Sequence, residues 1–250
     1  MTDGRVRHRQ GPVRIVDGVP YSNRDSTLSL LPGASVGRWL DSRRDDLSGT
    51  MLDLGCGNQP FRPWYTPLVK RVVAADAAPT EGLDVVSFAA PLPFRDDSFD
   101  SILCTSVLEH VDNAEQAVSE IARVLKPGGR LLITVPFFYP EHEAPYDFWR
   151  TTHHGLRSVL TRHGLVVDDL AAQGGPFLMV AHFLIQAFVQ ALRLVAGRLG
   201  PARRVLDNRA IDMAIAAPQE AVRSRIGYKL GPLSRVASLG YMAAAHKPEY

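Results

Sequence analysis

The chain has 250 residues, of which 46% are hydrophobic and 22% charged, and its formal net charge is +2. These values are typical of a globular protein with a large core, and the two cysteines exclude a small disulfide-stabilised secreted domain. The N-terminal residues contain no apolar signal region, so the sequence predicts a cytoplasmic protein. Charge is uneven, because residues 176–250 contain ten Lys/Arg against four Asp/Glu, a net charge of +6. This asymmetry favours an anionic surface or substrate as partner.

Residues 28–175 alternate short apolar runs with helical patterns, after a polar arm at residues 1–27 that we expect to be loosely ordered. Such alternation predicts a parallel sheet with helices on both faces, which is a doubly wound α/β fold. The predicted strands are 51–54, 71–75, 84–87, 101–104, 130–135 and 165–168, and the predicted helices are 28–47, 62–69, 115–125 and 152–163. In this pattern, the segment 126–129 (Lys-Pro-Gly-Gly) ends the third helix.

Residues 176–236 interrupt this alternation and predict a helical insertion before a last strand at 239–246. The apolar segment 177–199 is long enough to cross a bilayer. However, His182, Gln186, Gln190 and Arg193 are spaced by four, four and three residues and form one polar stripe, so we predict an interfacial or core helix. A further short helix is predicted within 210–235. The insertion could serve as a lid, a dimer face or a membrane-surface element.

The first predicted strand runs into Gly55-Cys56-Gly57, and Asp76 ends the next strand. Two glycines allow a sharp turn and let a ligand lie against bare peptide. A carboxylate at the end of the following strand is placed to bind the ribose hydroxyls of a nucleoside. The third glycine of a dinucleotide fingerprint is absent, since Gln59 and Pro60 occupy that part of the turn.

Three further segments occur in order: residues 91–100 read PLPFRDDSFD, 107–111 read VLEHV and 122–130 read ARVLKPGGR. Together with the glycine turn, they closely resemble the class I S-adenosylmethionine-dependent methyltransferases of the type 11 group. The resemblance covers residues 35–175 and 238–248. It implies a Rossmann-like seven-stranded sheet whose last strand is antiparallel, formed by residues 28–175 and 237–250, and it implies S-adenosyl-L-methionine as the cofactor.

The resemblance also assigns expected roles around the cofactor. Asp53 and the Gly55-Cys56-Gly57 turn hold the methionine part, Asp76 binds the ribose, Ala77 lies beside the adenine and Thr105 lines the sulfonium region. Phe88 departs from the family pattern, in which many relatives place an aspartate that holds the adenine amine. Stacking on Phe88 and contact with the Ala89 backbone are the expected replacement. An alternative for Asp53 is a structural acid that caps the turn.

The loop at residues 137–153 follows the fifth predicted strand and therefore faces the ligand edge of the sheet. In this loop His142 is the candidate general base, oriented by Glu141 or Asp147, and His110 is a second candidate. The alternative is that Asp147 pairs with Arg150 to fold the loop and that His142 only packs. No metal site is predicted, because nothing else in the chain was seen to complete one with the acidic residues and the histidine of 141–147.

We therefore predict a methyltransferase acting on a small-molecule or lipid- or glycan-linked acceptor, at oxygen. The alternative is a non-catalytic cofactor-binding or membrane-peripheral scaffold protein. A nicotinamide-dependent oxidoreductase is disfavoured by the missing glycine and by the segment at 126–129. Nucleic acid is not an expected partner, because aromatic and basic residues do not interleave. Residues 176–209 are the expected place of peripheral contact with the inner face of the membrane, and a homodimer is the other assembly considered.

Overall fold

The computed structural model describes residues 14–16, 19–21, 30–198 and 237–249. Strands β1 (Arg14–Val16) and β2 (Val19–Tyr21) pair antiparallel, and β2 lies beside helix α1 (Leu30–Ser42). These two strands fall within the segment predicted as a loosely ordered arm. The signal for them in the sequence is the Asp17-Gly18 dipeptide between two apolar runs, which is typical of two-residue hairpins.

Seven strands form the central sheet in the order β5-β4-β3-β6-β7-β9-β8. All neighbours pair parallel except β9, which runs antiparallel to both β7 and β8. The predicted fold class, a Rossmann-like sheet whose last strand is antiparallel, is confirmed. The strands are β3 (Thr50–Leu54), β4 (Arg71–Asp76), β5 (Val85–Val86), β6 (Phe99–Thr105), β7 (Leu125–Pro136), β8 (Val166–Ala172) and β9 (Gly240–His246).

Helices cover both faces of this sheet because successive strand residues point to opposite sides. On one face, side chains such as Leu52 and Ile102 pack against α3 and α4. On the other face, Met51 and Leu103 pack against α1 and α2, with Tyr65 fully buried among them. The remaining helices are α2 (Arg62–Tyr65), α3 (Ala114–Val124), α4 (His153–Arg162) and α5 (Pro176–Arg198), with short 3-10 turns at Arg44–Asp46, Thr66–Leu68 and Leu108–His110.

Two of the sequence motifs form one structural unit around Arg123. Its guanidinium donates hydrogen bonds to the carbonyl oxygens of Leu92 (3.0 Å) and Phe94 (2.8 Å) and to the carboxylate of Asp96 (2.7 Å). Glu120, one turn earlier on α3, receives two further bonds from Arg123 and accepts the Leu92 amide at 2.7 Å. The loop that leads into β6 is therefore attached to α3 by partly buried, charge-assisted hydrogen bonds.

The segment at 126–129 behaves differently from the prediction. Helix α3 ends at Val124, as expected, but the chain enters β7 at once and the breaker residues lie inside this strand. The Gly128 amide donates to Lys247 (2.8 Å), and the Lys247 amide donates to Gly129 (3.1 Å). Hydrogen bonds to the chain just beyond β9 therefore keep this glycine-rich segment extended.

Helix α5 matches the predicted apolar helix, but His182 and Gln186 of its polar stripe do not lie on an exposed face. His182 is buried against the domain, where its ring stacks on Tyr139 at 5.3 Å, and Gln186 lies 3.4 Å from its Nε2. Among the side chains of α5 that the structure describes, the large exposed ones are apolar, namely Phe177, Val180, Leu184 and Phe188. Among the described residues, no helix has the length and apolar character needed to cross a membrane. The helix predicted within 210–235 lies outside the described residues, and the domain boundaries stay predictions.

We expect Arg123→Met to lower the free energy of unfolding by roughly 1–3 kcal/mol, because it leaves buried carbonyl oxygens of the 92–94 segment without donors. Urea unfolding followed by circular dichroism measures this change. Arg157→Met, which removes an exposed arginine from α4, is the matched control and should leave the midpoint unchanged. Equal midpoints for the two variants would contradict the pinning role of Arg123.

Candidate functional site

The glycine turn after β3 is shaped by close packing and by backbone hydrogen bonds. Gly55 has φ +65°, and a Cβ at this position would lie 2.3 Å from a methyl carbon of Val107. The amides of Gly55 and Cys56 both donate to the carbonyl of Ala75 on β4, at 2.8 and 3.2 Å. The turn therefore folds back onto the end of β4 and requires glycine at its first position.

Asp76 is tied to this turn by its own side chain. One carboxylate oxygen accepts the Gly57 amide and the other accepts the Ala78 amide, both at 2.8 Å. Asp76 is buried, and Ala77 next to it is exposed. These two hydrogen bonds orient the Asp76 carboxylate beside the glycine turn.

Asp53 lies beneath the turn in a different environment. Its carboxylate is buried and accepts a hydrogen bond from the Tyr65 hydroxyl at 2.6 Å. Burial raises the pKa of Asp53 to about 7; the Tyr65 hydrogen bond opposes this rise, whereas the charge of Asp76 adds to it. A buried carboxylate bonded to Tyr65 fits the alternative given for Asp53, in which it is a structural acid that supports the turn. Direct contact of Asp53 with the cofactor stays a prediction.

The remaining residues expected around the cofactor reach the same edge of the sheet. The Ser87 amide donates to the carbonyl of Asp76 at 2.8 Å, which places the 87–89 segment beside the acid. Phe88 is 74% exposed, whereas Ala89 is buried. Thr105 ends β6 and pairs with Thr134 on β7. The carboxyl ends of β3, β4, β5 and β6 thus collect all the predicted cofactor positions, as the ligand edge of an open α/β sheet does.

A second polar cluster lies on the 3-10 turn after β6. Glu109 is fully buried, and neither of its carboxyl oxygens has a hydrogen-bond partner among the described residues. Burial raises the pKa of Glu109 to about 8. The Nε2 atoms of His110 and His142 lie 3.9 and 4.0 Å from its Oε1. The two histidines named as candidate bases are thus brought together, with their rings 4.9 Å apart.

The loop after β7 supplies His142 and is folded by its own ion pair. Asp147 pairs with Arg150, as the alternative interpretation expected, and it also accepts the backbone amide of His142 at 3.0 Å. The Phe148 amide donates to the Glu109 carbonyl at 2.7 Å, which docks the loop onto the 3-10 turn. Burial, reinforced by the neighbouring His110, lowers the pKa of His142. Glu141 is exposed and its carboxylate has no described role in the cluster.

Glu109 is the functional candidate that sequence reasoning missed. It lies in the VLEHV segment, directly before His110, and was treated only as part of a motif. A three-residue 3-10 turn buries its side chain beneath the loop that carries His142. Neither the short turn nor the covering loop produces a periodic pattern of apolar residues that sequence analysis could detect. The usable signal was chemical: a carboxylate beside a histidine, at the carboxyl end of a strand next to another histidine-bearing loop.

Comparison with known proteins shows what this part of the chain resembles. A family profile described as "Methyltransferase domain" matches residues 52–133. The matched segment contains the glycine turn, Asp76, Thr105 and the 3-10 turn with Glu109 and His110. Through these residues the chain is similar to the methyltransferase domain. The predicted resemblance to the class I enzymes of the type 11 group is confirmed.

Two curated relatives illustrate the match of the methyltransferase domain. The uncharacterized methyltransferase YcgJ of Bacillus subtilis is 32% identical over 130 residues, which are 46% of this chain and 49% of YcgJ. Methyltransferase GfsG of Streptomyces halstedii is 36% identical over 139 residues, which are 47% of this chain and 50% of GfsG. The chain thus spans about half the length of these relatives.

Solved structures show the same fold with low identity. The [4+2]-cyclase SpnF superposes with a TM-score of 0.57 at 21% identity, covering 95% of this chain and 88% of SpnF. This likeness supports the fold and not an activity, because one fold hosts different chemistries. Function therefore has to be argued from the site of the methyltransferase domain.

Asp53 should make stability depend on pH. The pKa of its carboxyl is 3.8 in an ordinary environment and about 7 in the fold, so between these values the folded protein holds a proton that the unfolded chain has released. The free energy of unfolding should consequently fall as pH rises from about 4 to 7, by an amount on the order of a few kcal/mol. In Asp53→Asn this decline should be smaller. Chemical unfolding across this pH range measures it, with Asp112→Asn on an exposed acid as control; parallel curves for wild type and Asp53→Asn would refute the assignment.

Proposed function

We propose that the protein transfers the methyl group of S-adenosylmethionine to a hydroxyl oxygen of a small-molecule or lipid- or glycan-linked acceptor. The observation that carries this proposal is the bare glycine turn whose Gly57 amide is hydrogen-bonded to Asp76 at 2.8 Å, within residues that match the methyltransferase family. The turn offers backbone to a ligand, and Asp76 places a carboxylate beside it.

In this proposal the cofactor lies along the carboxyl ends of β3 to β6. Its amino-acid part contacts the backbone of Gly55 and Gly57, and its ribose hydroxyls donate to Asp76. The adenine stacks on Phe88, whose ring is 74% exposed and therefore available to a partner. Thr105 lines the reacting sulfonium. The absence of a third glycine is consistent with a ligand that carries no pyrophosphate.

The chemistry is an in-line displacement. The acceptor oxygen forms a bond to the methyl carbon as the carbon–sulfur bond breaks, and S-adenosylhomocysteine leaves. The sulfonium is already activated, so the protein mainly aligns the two reactants and excludes water. A hydroxyl acceptor must also lose its proton, and the cluster around His142 lies on the loop that follows the neighbouring strand β7, where it can assist.

The surroundings of the cluster favour an acceptor with an apolar part. Phe138, Tyr146 and Phe148 of the same loop are each about half exposed. Phe138 contacts Phe183 of α5, whose exposed face is apolar as well. Aromatic and aliphatic surface beside a polar cluster suits an amphipathic acceptor. Docking of residues 176–209 on an anionic membrane surface is the accompanying proposal for how a lipid-linked acceptor would be reached.

Cofactor binding should depend on Asp76. We expect isothermal titration calorimetry to show one S-adenosylhomocysteine bound per chain, and Asp76→Asn to weaken it roughly ten- to hundredfold, since hydrogen bonds to a charged group are lost. Asn keeps the shape of the side chain and can still accept the Gly57 amide. Asp112→Asn is the control and should bind as wild type does. Absence of heat with the folded wild-type protein would overturn the cofactor proposal.

The methylated atom is tested separately. With methyl-13C-labelled S-adenosylmethionine and a panel of free sugars, phenols and lipid-linked glycans, the transferred methyl should show the carbon chemical shift of an O-methyl ether. Asp76→Asn should lower product formation in proportion to its weaker cofactor binding. A product with the chemical shift of an N-methyl or C-methyl group would contradict oxygen transfer and leave the cofactor proposal intact.

A further inference from the structure

Glu109 raises a physical question that methyl transfer does not answer. Its carboxyl group is fully buried, and both oxygens lack a hydrogen-bond partner among the described residues. Burying a carboxylate without a partner costs several kcal/mol, so such a group is normally neutralised by a proton or paired with a cation. Which of the two it takes is decided by the atoms that surround it.

The two histidines beside Glu109 have defined tautomers. Nδ1 of His110 lies 2.6 Å from the carbonyl oxygen of Tyr146, and Nδ1 of His142 lies 3.2 Å from that of Pro140. A carbonyl oxygen can only accept, so each Nδ1 carries the hydrogen and each Nε2 presents a lone pair. These two Nε2 atoms lie 3.9 and 4.0 Å from Oε1 of Glu109. Histidine ligands of metal ions show this same arrangement, with the second nitrogen donating to a backbone carbonyl.

A shared proton does not account for these distances. A charge-assisted hydrogen bond between a carboxyl oxygen and an imidazole nitrogen has a length of about 2.7–2.9 Å, well below the observed separations. A metal ion bonds to such atoms at about 2.0–2.2 Å, so a 4 Å gap leaves room for one ion between them. Ligand atoms around a tetrahedral centre stand roughly 3.4 Å apart, which requires the two pairs between Glu109 and a histidine to close by about half an ångström.

We propose that Glu109, His110 and His142 bind a divalent first-row transition-metal ion. One ligand atom from each of the three residues lies within 4.8 Å of the other two. Glu143, whose carboxylate is 3.9 Å from Nε2 of His110, is placed to add a fourth ligand. Two imidazole nitrogens with a carboxylate are a ligand set for ions such as Zn²⁺ or Fe²⁺, whereas Mg²⁺ and Ca²⁺ prefer oxygen alone.

The site joins two loops that face the acceptor. Glu109 and His110 follow β6, and His142 follows β7, so one ion would hold both loops in register. An open position on the ion would accept the acceptor oxygen and lower the pKa of its hydroxyl. His142 then serves as a ligand and not as the general base expected from the sequence. Metal binding itself does not depend on the proposed methyl transfer.

The test uses the untagged full chain, which is first treated with a chelator to remove bound metal and then freed of the chelator. We expect calorimetry with Zn²⁺ or Co²⁺ to give one bound ion per chain, and the Co²⁺ complex to show visible ligand-field absorption without thiolate charge transfer. Glu109→Gln and His142→Ala should each weaken binding by at least about tenfold, since even supporting residues of metal sites cost this much. Glu109→Gln replaces a buried carboxyl group with a neutral amide of the same shape, so it should fold about as stably as metal-free wild type.

Matched controls separate this site from surface chelation. His154→Gln and Glu81→Gln alter exposed residues outside the cluster and should bind Co²⁺ as wild type does. No binding by wild type, or equal binding by wild type and both cluster variants, would overturn the proposal. Calorimetry with S-adenosylhomocysteine on the same preparations keeps the two proposals apart, because failure of metal binding leaves cofactor binding measurable.

Discussion

The hydrogen bond from the Gly57 amide to Asp76 is the constraint on which the cofactor edge depends. It closes a turn without side chains onto the neighbouring strand, and the Gly55 amide reinforces it from the carbonyl of Ala75. Neither contact survives a bulky first residue, because Val107 fills the space where a side chain would begin. The register of the sheet also positions the turn, since Leu54 pairs with Ala75 and thereby aligns the turn with Asp76, the next residue of β4.

The short segment after β6 couples the two halves of the site. Val107 packs against the glycine turn on one side, and two residues later Glu109 is buried beneath the loop that carries His142. The backbone carbonyl of Glu109 holds Phe148, while the His110 ring holds the carbonyl of Tyr146. A single 3-10 turn thus fixes the loop after β7 relative to the glycine turn, which is the alignment that the proposed displacement requires.

Much of this arrangement is readable in the sequence because it rests on local periodicity and turn chemistry. The apolar runs gave the strands to within a few residues, and the Gly-x-Gly turn with its distant acid gave the ligand edge. Other features depend on long-range contacts that leave no period. The segment at 126–129 stays extended only because Lys247, far along the chain, pairs with it. His182 is buried because Tyr139 offers it a ring to stack on, which helical spacing alone does not reveal. The role of Glu109 required knowing which loop covers it.

The central claim is that the glycine turn and Asp76 receive the methyl donor. The most direct measurement is a titration of 15N-labelled protein with S-adenosylhomocysteine, followed through the backbone amide resonances. The account predicts saturable shifts centred on Gly55, Gly57 and the residues after Asp76, with smaller changes near Thr105. Saturable shifts confined to another part of the chain, or none at all, would contradict it.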